Sequence, residues 1–198
     1  MQVEAVSHDA LLCASHRVDW RFLLPDPELG RVACVGVNDE ALLEALRLFS
    51  VSLASSASCD IGAFDEPFDL VVLRNPRGEA LDDASGLLRP GGWLYIEVEK
   101  TGREETRATW SSRGYARALR KRGFVDVRTH VHWPDFASCR AIVPVDDAAA
   151  VRLGLGRART KRAPLTSLAP VLAGSRQLAR FVPCASVLGR STDGQAIS

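Results

Sequence analysis

Three short runs of this 198-residue chain limit its fold more than any other feature. They are Arg31 to Val37 (RVACVGV), Phe68 to Leu73 (FDLVVL) and Trp93 to Val98 (WLYIEV), each almost uniformly apolar. Each is short for a helix and rich in β-branched or aromatic residues, so each reads as a strand. A strand with one face in water alternates apolar and polar residues, whereas one that is apolar throughout must be covered on both faces. Gly30, Asn38, Asn75-Pro76 and Gly91-Gly92 punctuate these runs as turn signals.

Helical periodicity fills the spaces between them. Residues 40–48 place Leu42, Leu43 and Leu46 on one face of a helix, which Asn38 or Asp39 caps. Residues 50–54 alternate and predict a second strand, followed by a Ser-rich stretch with no helical pattern. Residues 79–88 predict a helix ended by Pro90 and Gly91-Gly92. Residues 110–122 predict another, capped by Ser111 or Ser112 and stopped at Gly123. Phe124 to His132 and Cys139 to Val145 read as two further strands around Trp133-Pro134-Asp135. Residues 1–30 begin as a helix and become irregular near Pro25 and Pro27. This order predicts an α/β fold: a mostly parallel twisted sheet, helices on both faces and a C-terminal antiparallel hairpin. The domain is expected over 1–147. An extension over 148–198 holds a basic loop, a helix over 165–180 and an apolar segment, Phe181 to Leu188, suited to add a strand to the sheet or to a neighbour.

Composition narrows the function classes. Hydrophobic residues make up 46% and charged residues 25% of the chain, as in globular domains. No apolar run reaches the length of a membrane span, and Glu4, His8 and Asp9 stand where a signal peptide is basic or apolar, so a cytoplasmic location is expected. Five cysteines without a CxxC pair suggest neither a zinc nor a disulfide framework, and no metal is expected. Residues 151–198 carry eight basic residues and one acidic, leaving 17 basic and 23 acidic in 1–150. The body is therefore −6 and the tail +7. Such asymmetry suits either an anionic partner or a tail that packs on its own acidic body, and the second reading is preferred. No aromatic residue interleaves with Arg157, Arg159, Lys161 and Arg162, which argues against a nucleic-acid platform.

Three stretches, RVACVGVNDEALLEAL, SCDIGAFDEPFDLVV and LLRPGGWLYIEVE, together with GYARALRKRGFVDVRTHVHWPDF, resemble the class I S-adenosylmethionine-dependent methyltransferases over about residues 20–146. The resemblance implies a Rossmann-like methyltransferase fold, S-adenosylmethionine as cofactor and a small-molecule acceptor. It places the cofactor against Val35, Gly36, Val37 and Asn38 in the loop after the first strand, Ser55 at the end of the second, Asp60 and Ile61 on the adenine side, and Arg74 after the Phe68 strand. Such a loop lets backbone approach a ligand, and the following helix offers free amides. The sequence departs from the family in three ways. One glycine stands in the loop where two or three are usual; Ser55 and Ser56 replace the ribose-binding carboxylate; and Ser50 to Asp69 is too short for strand, helix and strand.

His130 and His132 share a face of one strand, where imidazoles could serve as a general base or sit as edge residues. Asn75-Pro76 matches only two residues of an amine-orienting motif and reads as a turn. Trp20 and Phe22 are expected to cap the core or form a lid, and Tyr115 to pack. The leading expectation is methyl transfer to a small molecule. The alternative is a methyltransferase-fold protein that has lost its cofactor site and binds a protein partner. GxGxxG is absent, which counts against a nicotinamide enzyme.

Overall fold

A computed structural model describes residues 8–56, 66–99, 110–147, 149–150, 153 and 184–192. Asp60, Ile61, the basic run around Lys161 and the expected helix over 165–180 lie outside the described residues. Seven strands within the described residues form one sheet: β1 (Arg31–Val35), β2 (Ser52–Ser56), β3 (Phe68–Arg74), β4 (Leu88–Glu99), β5 (Val125–Trp133), β6 (Ala141–Pro144) and β7 (Cys184–Arg190). The helices are α1 (His8–Arg17), α2 (Glu40–Phe49), α3 (Gly78–Leu87) and α4 (Ser112–Lys121), with a 3-10 turn over Asp19–Leu23.

The strand order is β2-β1-β3-β4-β7-β5-β6. β2, β1, β3 and β4 pair in parallel. β7 is antiparallel to both β4 and β5, so β5 runs in the same direction as β4. β6 returns antiparallel at the edge, giving the expected hairpin with β5. The apolar segment of the extension thus supplies a strand to the interior of its own sheet.

Two apolar layers flank the sheet, as the uninterrupted runs require. Ala33, Val35, Val71, Leu73, Leu94 and Ile96 face α3 and α4. Val32, Cys34, Leu70, Val72 and Tyr95 face α2 and the 3-10 turn. Trp20 lies flat on Tyr95 with ring centroids 3.9 Å apart, a contact contributing about 0.5–1.5 kcal/mol beyond its buried area. Trp20 is buried and part of the core, while Phe22 is exposed. Tyr115 packs as expected, and its hydroxyl donates to the Pro76 carbonyl at 2.7 Å.

The caps settle two open choices. The Asp39 carboxylate accepts from the Leu42 amide at 3.1 Å and starts α2, and the Ser111 hydroxyl accepts from the Gly114 amide at 3.2 Å and starts α4. Each such cap stabilises its helix by about 1 kcal/mol. Two expectations need correction. The strand expected from Trp93 begins at Leu88, because Pro90 and Gly91-Gly92 do not end the pairing but are bulged out of it. The register shifts between Phe68↔Leu88 and Leu70↔Trp93, and a Cβ on Gly92 would stand 3.1 Å from the Phe68 carbonyl. The strand expected from Cys139 begins at Ala141; Cys139 sits in the loop, its thiol 3.5 Å from the Ala141 carbonyl.

Candidate functional site

In an open α/β sheet, ligands bind beyond the carboxyl ends of the strands, where the strand order reverses. Here β1 is followed through α2 by β2 on one side, and its other neighbour is β3, so the reversal lies between β1 and β3. The residues at that end are charged. Arg74 closes β3, Glu97 and Glu99 close β4, and Asp39 opens α2. Arg17, in the last turn of α1, reaches them from above.

Arg17 makes a two-pronged ion pair with Glu97, at 2.7 and 2.8 Å, and its Nη2 also donates to Asp39 at 3.0 Å. Arg17 is 4% and Glu97 0% exposed. Arg74 joins the other side, donating to Asp39 at 3.1 Å and pairing with Glu99. Asp39 thereby links an inner, buried pair to an outer, half-buried one. Burial alone would lower the Arg17 and Arg74 pKa values. Glu97 and then Asp39 outweigh it at Arg17, Glu99 and Glu97 outweigh it at Arg74, and both are raised. Burial alone would raise Asp39, but Arg17, the Leu42 amide and Arg74 pull its carboxyl below the ordinary value. Arg17, Arg74 and Asp39 are thus each held in the charged form by their neighbours. Cys34, beneath them, is pushed up to about 12 by burial and then by Glu97, so it is an inert thiol.

Of the expected cofactor residues, Val35 and Val37 are buried in the core. Gly36 has φ +67, and nothing stands within 4 Å of where its Cβ would be. This left-handed position leaves open space beside the loop, and its amide donates to the Ser56 carbonyl at 2.9 Å. Asn38 is exposed, and Ser55 is exposed at the end of β2. Arg74 belongs to the charged group. Asp60 and Ile61 fall outside the described residues.

His130 and His132 lie near the carboxyl end of β5, both buried. His132 Nε2 is 2.8 Å from the Ser186 hydroxyl, and its ring meets Phe136 at 4.7 Å. Burial and then Arg128 depress His130 to about 4, against a smaller pull from Asp146; burial, then His130 and Arg17, depress His132 to about 3. Both imidazoles are neutral near pH 7. Asn75 spans the gap to β4: its side-chain amide donates to the Glu99 carbonyl at 3.3 Å, and its Oδ1 accepts from the Glu99 amide at 2.9 Å. Those bonds engage it as a turn residue, with φ +45.

Sequence reasoning missed Arg17, Glu97 and Glu99, and took Asp39 only as a cap. One signal was available: Glu97 interrupts an otherwise apolar buried strand, and a buried carboxylate requires a buried cation.

The strand order and the reversal between β1 and β3 settle the architecture. The fold is Rossmann-like. No family model and no curated protein matches the sequence. Similar solved structures include a SAM-dependent methyltransferase from Thermotoga maritima at 14% identity, with a TM-score of 0.49, covering 92% of this chain and 90% of that one. Another is the phosphoethanolamine N-methyltransferase 2 of Haemonchus contortus, in complex with S-adenosyl-L-methionine, at 12% identity and TM-score 0.48, covering 90% and 52%. A third is a SAM-dependent O-methyltransferase from Thermotoga maritima at 11% and 0.46, covering 98% and 69%. This chain spans about half the length of the Haemonchus contortus enzyme. Likeness at this level concerns fold and says nothing of acceptor or partner. Among the described residues no group of His, Cys, Asp and Glu is arranged to hold a metal, and no helix is long and apolar enough to cross a membrane.

Proposed function

We propose that this chain binds S-adenosylmethionine in the crevice between β1 and β3 and passes its methyl group to a small-molecule acceptor. The observation that carries this reading is the convergence of Asp39, Arg74 and Glu99, 22%, 23% and 16% exposed, on the strand ends where such a fold takes its ligand.

The donor set fits one end of the cofactor. Its amino-acid portion needs a cation for a carboxylate and an acid for an ammonium group. Arg74, whose buried Nε has no hydrogen-bond partner among the described residues, supplies the first, and Asp39 or Glu99 the second. The open backbone at Gly36 allows close approach. On the ribose side, the Ser55 hydroxyl stands at the end of β2. When bound, the cofactor supplies an electrophilic methyl group on a sulfonium. The chain's own contribution is placement: Arg17 ties α1 over the crevice and holds Asp39, so that the ligand groups meet a prearranged, partly dry surface. His130 and His132, neutral and closed to solvent, hold β5 against its neighbours in this reading, and an acceptor that arrives unprotonated needs no base from them.

A second reading has its own observation. Asp39 already accepts from Arg17, Arg74 and the Leu42 amide, so this carboxylate is satisfied without a ligand. A methyltransferase-fold protein that binds a protein partner would tolerate that arrangement. Calorimetric titration with S-adenosylmethionine and S-adenosylhomocysteine separates the two. Methyl transfer requires micromolar binding that weakens by about ten-fold or more in Arg74→Met, the effect of losing a charge-assisted hydrogen bond. No heat with either ligand, from a folded sample, would leave the partner-binding reading standing.

A further inference from the structure

The opposite end of the sheet holds a second charged residue in a very different state. Arg21, in the 3-10 turn after α1, is 9% exposed. Its guanidinium lies over Phe22 at 4.6 Å and over Phe49 at 4.0 Å. Its one hydrogen bond among the described residues is a long one, from NH2 to the Ser15 hydroxyl at 3.3 Å; NH1 is buried with no partner. Among the described residues no carboxylate pairs with it. Asp19 favours its charged form from a distance but bonds the His16 ring instead. A largely buried cation without a counter-ion is unfavourable unless water or an anion reaches its free N–H groups.

Arg21 also lines a cavity of about 440 Å³, together with Leu29, Gly30, Leu48, Phe49 and Val51. Gly30 and Val51 immediately precede β1 and β2, so this cavity lies at the amino ends of the strands, away from the crevice. Aromatic rings engage a guanidinium through its face and leave its in-plane N–H groups for an acceptor. Phe22, 63% exposed, covers the site without being locked into the core. Glu28 lines the same cavity and is exposed.

We infer that Arg21 and this cavity form a site for a small oxyanion carried on an apolar body: the anion pairs with the edge of Arg21, and the apolar part lies against Phe22, Leu48 and Val51. A planar carboxylate or a phosphate ester shares the required chemistry. The site is separate from the crevice and does not depend on cofactor binding there.

Titration of the full chain with benzoate, acetate and inorganic phosphate, read by calorimetry and thermal shift, tests it. Benzoate is expected to bind about ten-fold more tightly than acetate, because it adds the apolar contact. Phosphate binding more tightly than benzoate would identify a phosphate ester as the ligand and keep the site. Arg21→Met should abolish binding while leaving Tm unchanged or higher, because it removes an unpaired buried charge. A merely structural arginine would lower Tm instead. Val51→Asp, at a position 83% exposed, adds a repelling charge at the rim without touching the core and should weaken binding about ten-fold. The inference is overturned if none of the three probes binds at tens of millimolar, or if binding survives both substitutions unchanged.

Discussion

The carboxyl ends of β4 and β5 bury polar groups to a similar depth and leave them in opposite states. At β4, Glu97 is fully buried with Arg17 on both its oxygens, and that pairing holds the buried guanidinium in its charged form. At β5, His130 and His132 are also deeply buried and neutral, because burial, then Arg128 at His130 and His130 and Arg17 at His132, oppose the charged ring, and no carboxylate of the described residues bonds either one. Burial is common to both. The partner decides whether the charge survives, and therefore which region can meet a charged ligand.

Breaking the paired side has the largest expected effect. Glu97→Gln leaves Arg17 buried beside a neutral amide and should cost about 3–5 kcal/mol, lowering Tm on the order of 10 °C. The double variant Arg17→Met, Glu97→Leu should recover most of that loss, since it removes both charges together. Equal losses in the single and double variants would mean that the pair stabilises the fold in its own right.

The neutral side is sharpened by pH. Folded pKa values of about 4 and 3 lie below the ordinary 6.5 of an unfolded histidine. The unfolded chain therefore binds more protons than the folded one below about pH 6.5, and stability falls as pH drops through that window. Each histidine contributes up to about 1.4 kcal/mol per pH unit. Replacing His132 with Asn should flatten the loss between pH 6.5 and 4 by about that amount, measured by denaturant unfolding across the range. Asp39, with its lowered pKa, loses its contribution only below the usual carboxylate range, so the two regions separate on the pH axis.

The smallest effect is expected at an exposed pair outside both regions. Asp82 accepts from Arg122 at 2.7 and 2.9 Å but is 59% exposed. Asp82→Asn should cost less than about 1 kcal/mol, and high salt should erase the difference.

The strands, helices and caps were legible because their causes are local. The apolar runs of β1, β3 and β4, the leucine face of α2, and the capping by Asp39 and Ser111 follow from residues a few positions apart. The charged crevice was not legible, because Arg17 and Glu97 are 80 positions apart and neither carries a local signal of the other. Arg74, which ends β3, was named only through the family resemblance, as a cofactor contact, and its partners were not legible. The placement of β7 was half legible: its apolar character marked it as a strand, while its neighbours depend on the gap that β4 and β5 leave between them. Asn75 read correctly as a turn, although its two bonds to Glu99 came only with the fold.

Hydrogen–deuterium exchange of the full chain, with and without saturating S-adenosylmethionine, tests the central claim most directly. Exchange should slow in residues 36–42, 74–77 and 97–99, where the loop, Arg74 and Glu99 meet the ligand, and change little along β5 around His130. Unchanged exchange in those three segments, or protection confined to β5, would contradict it.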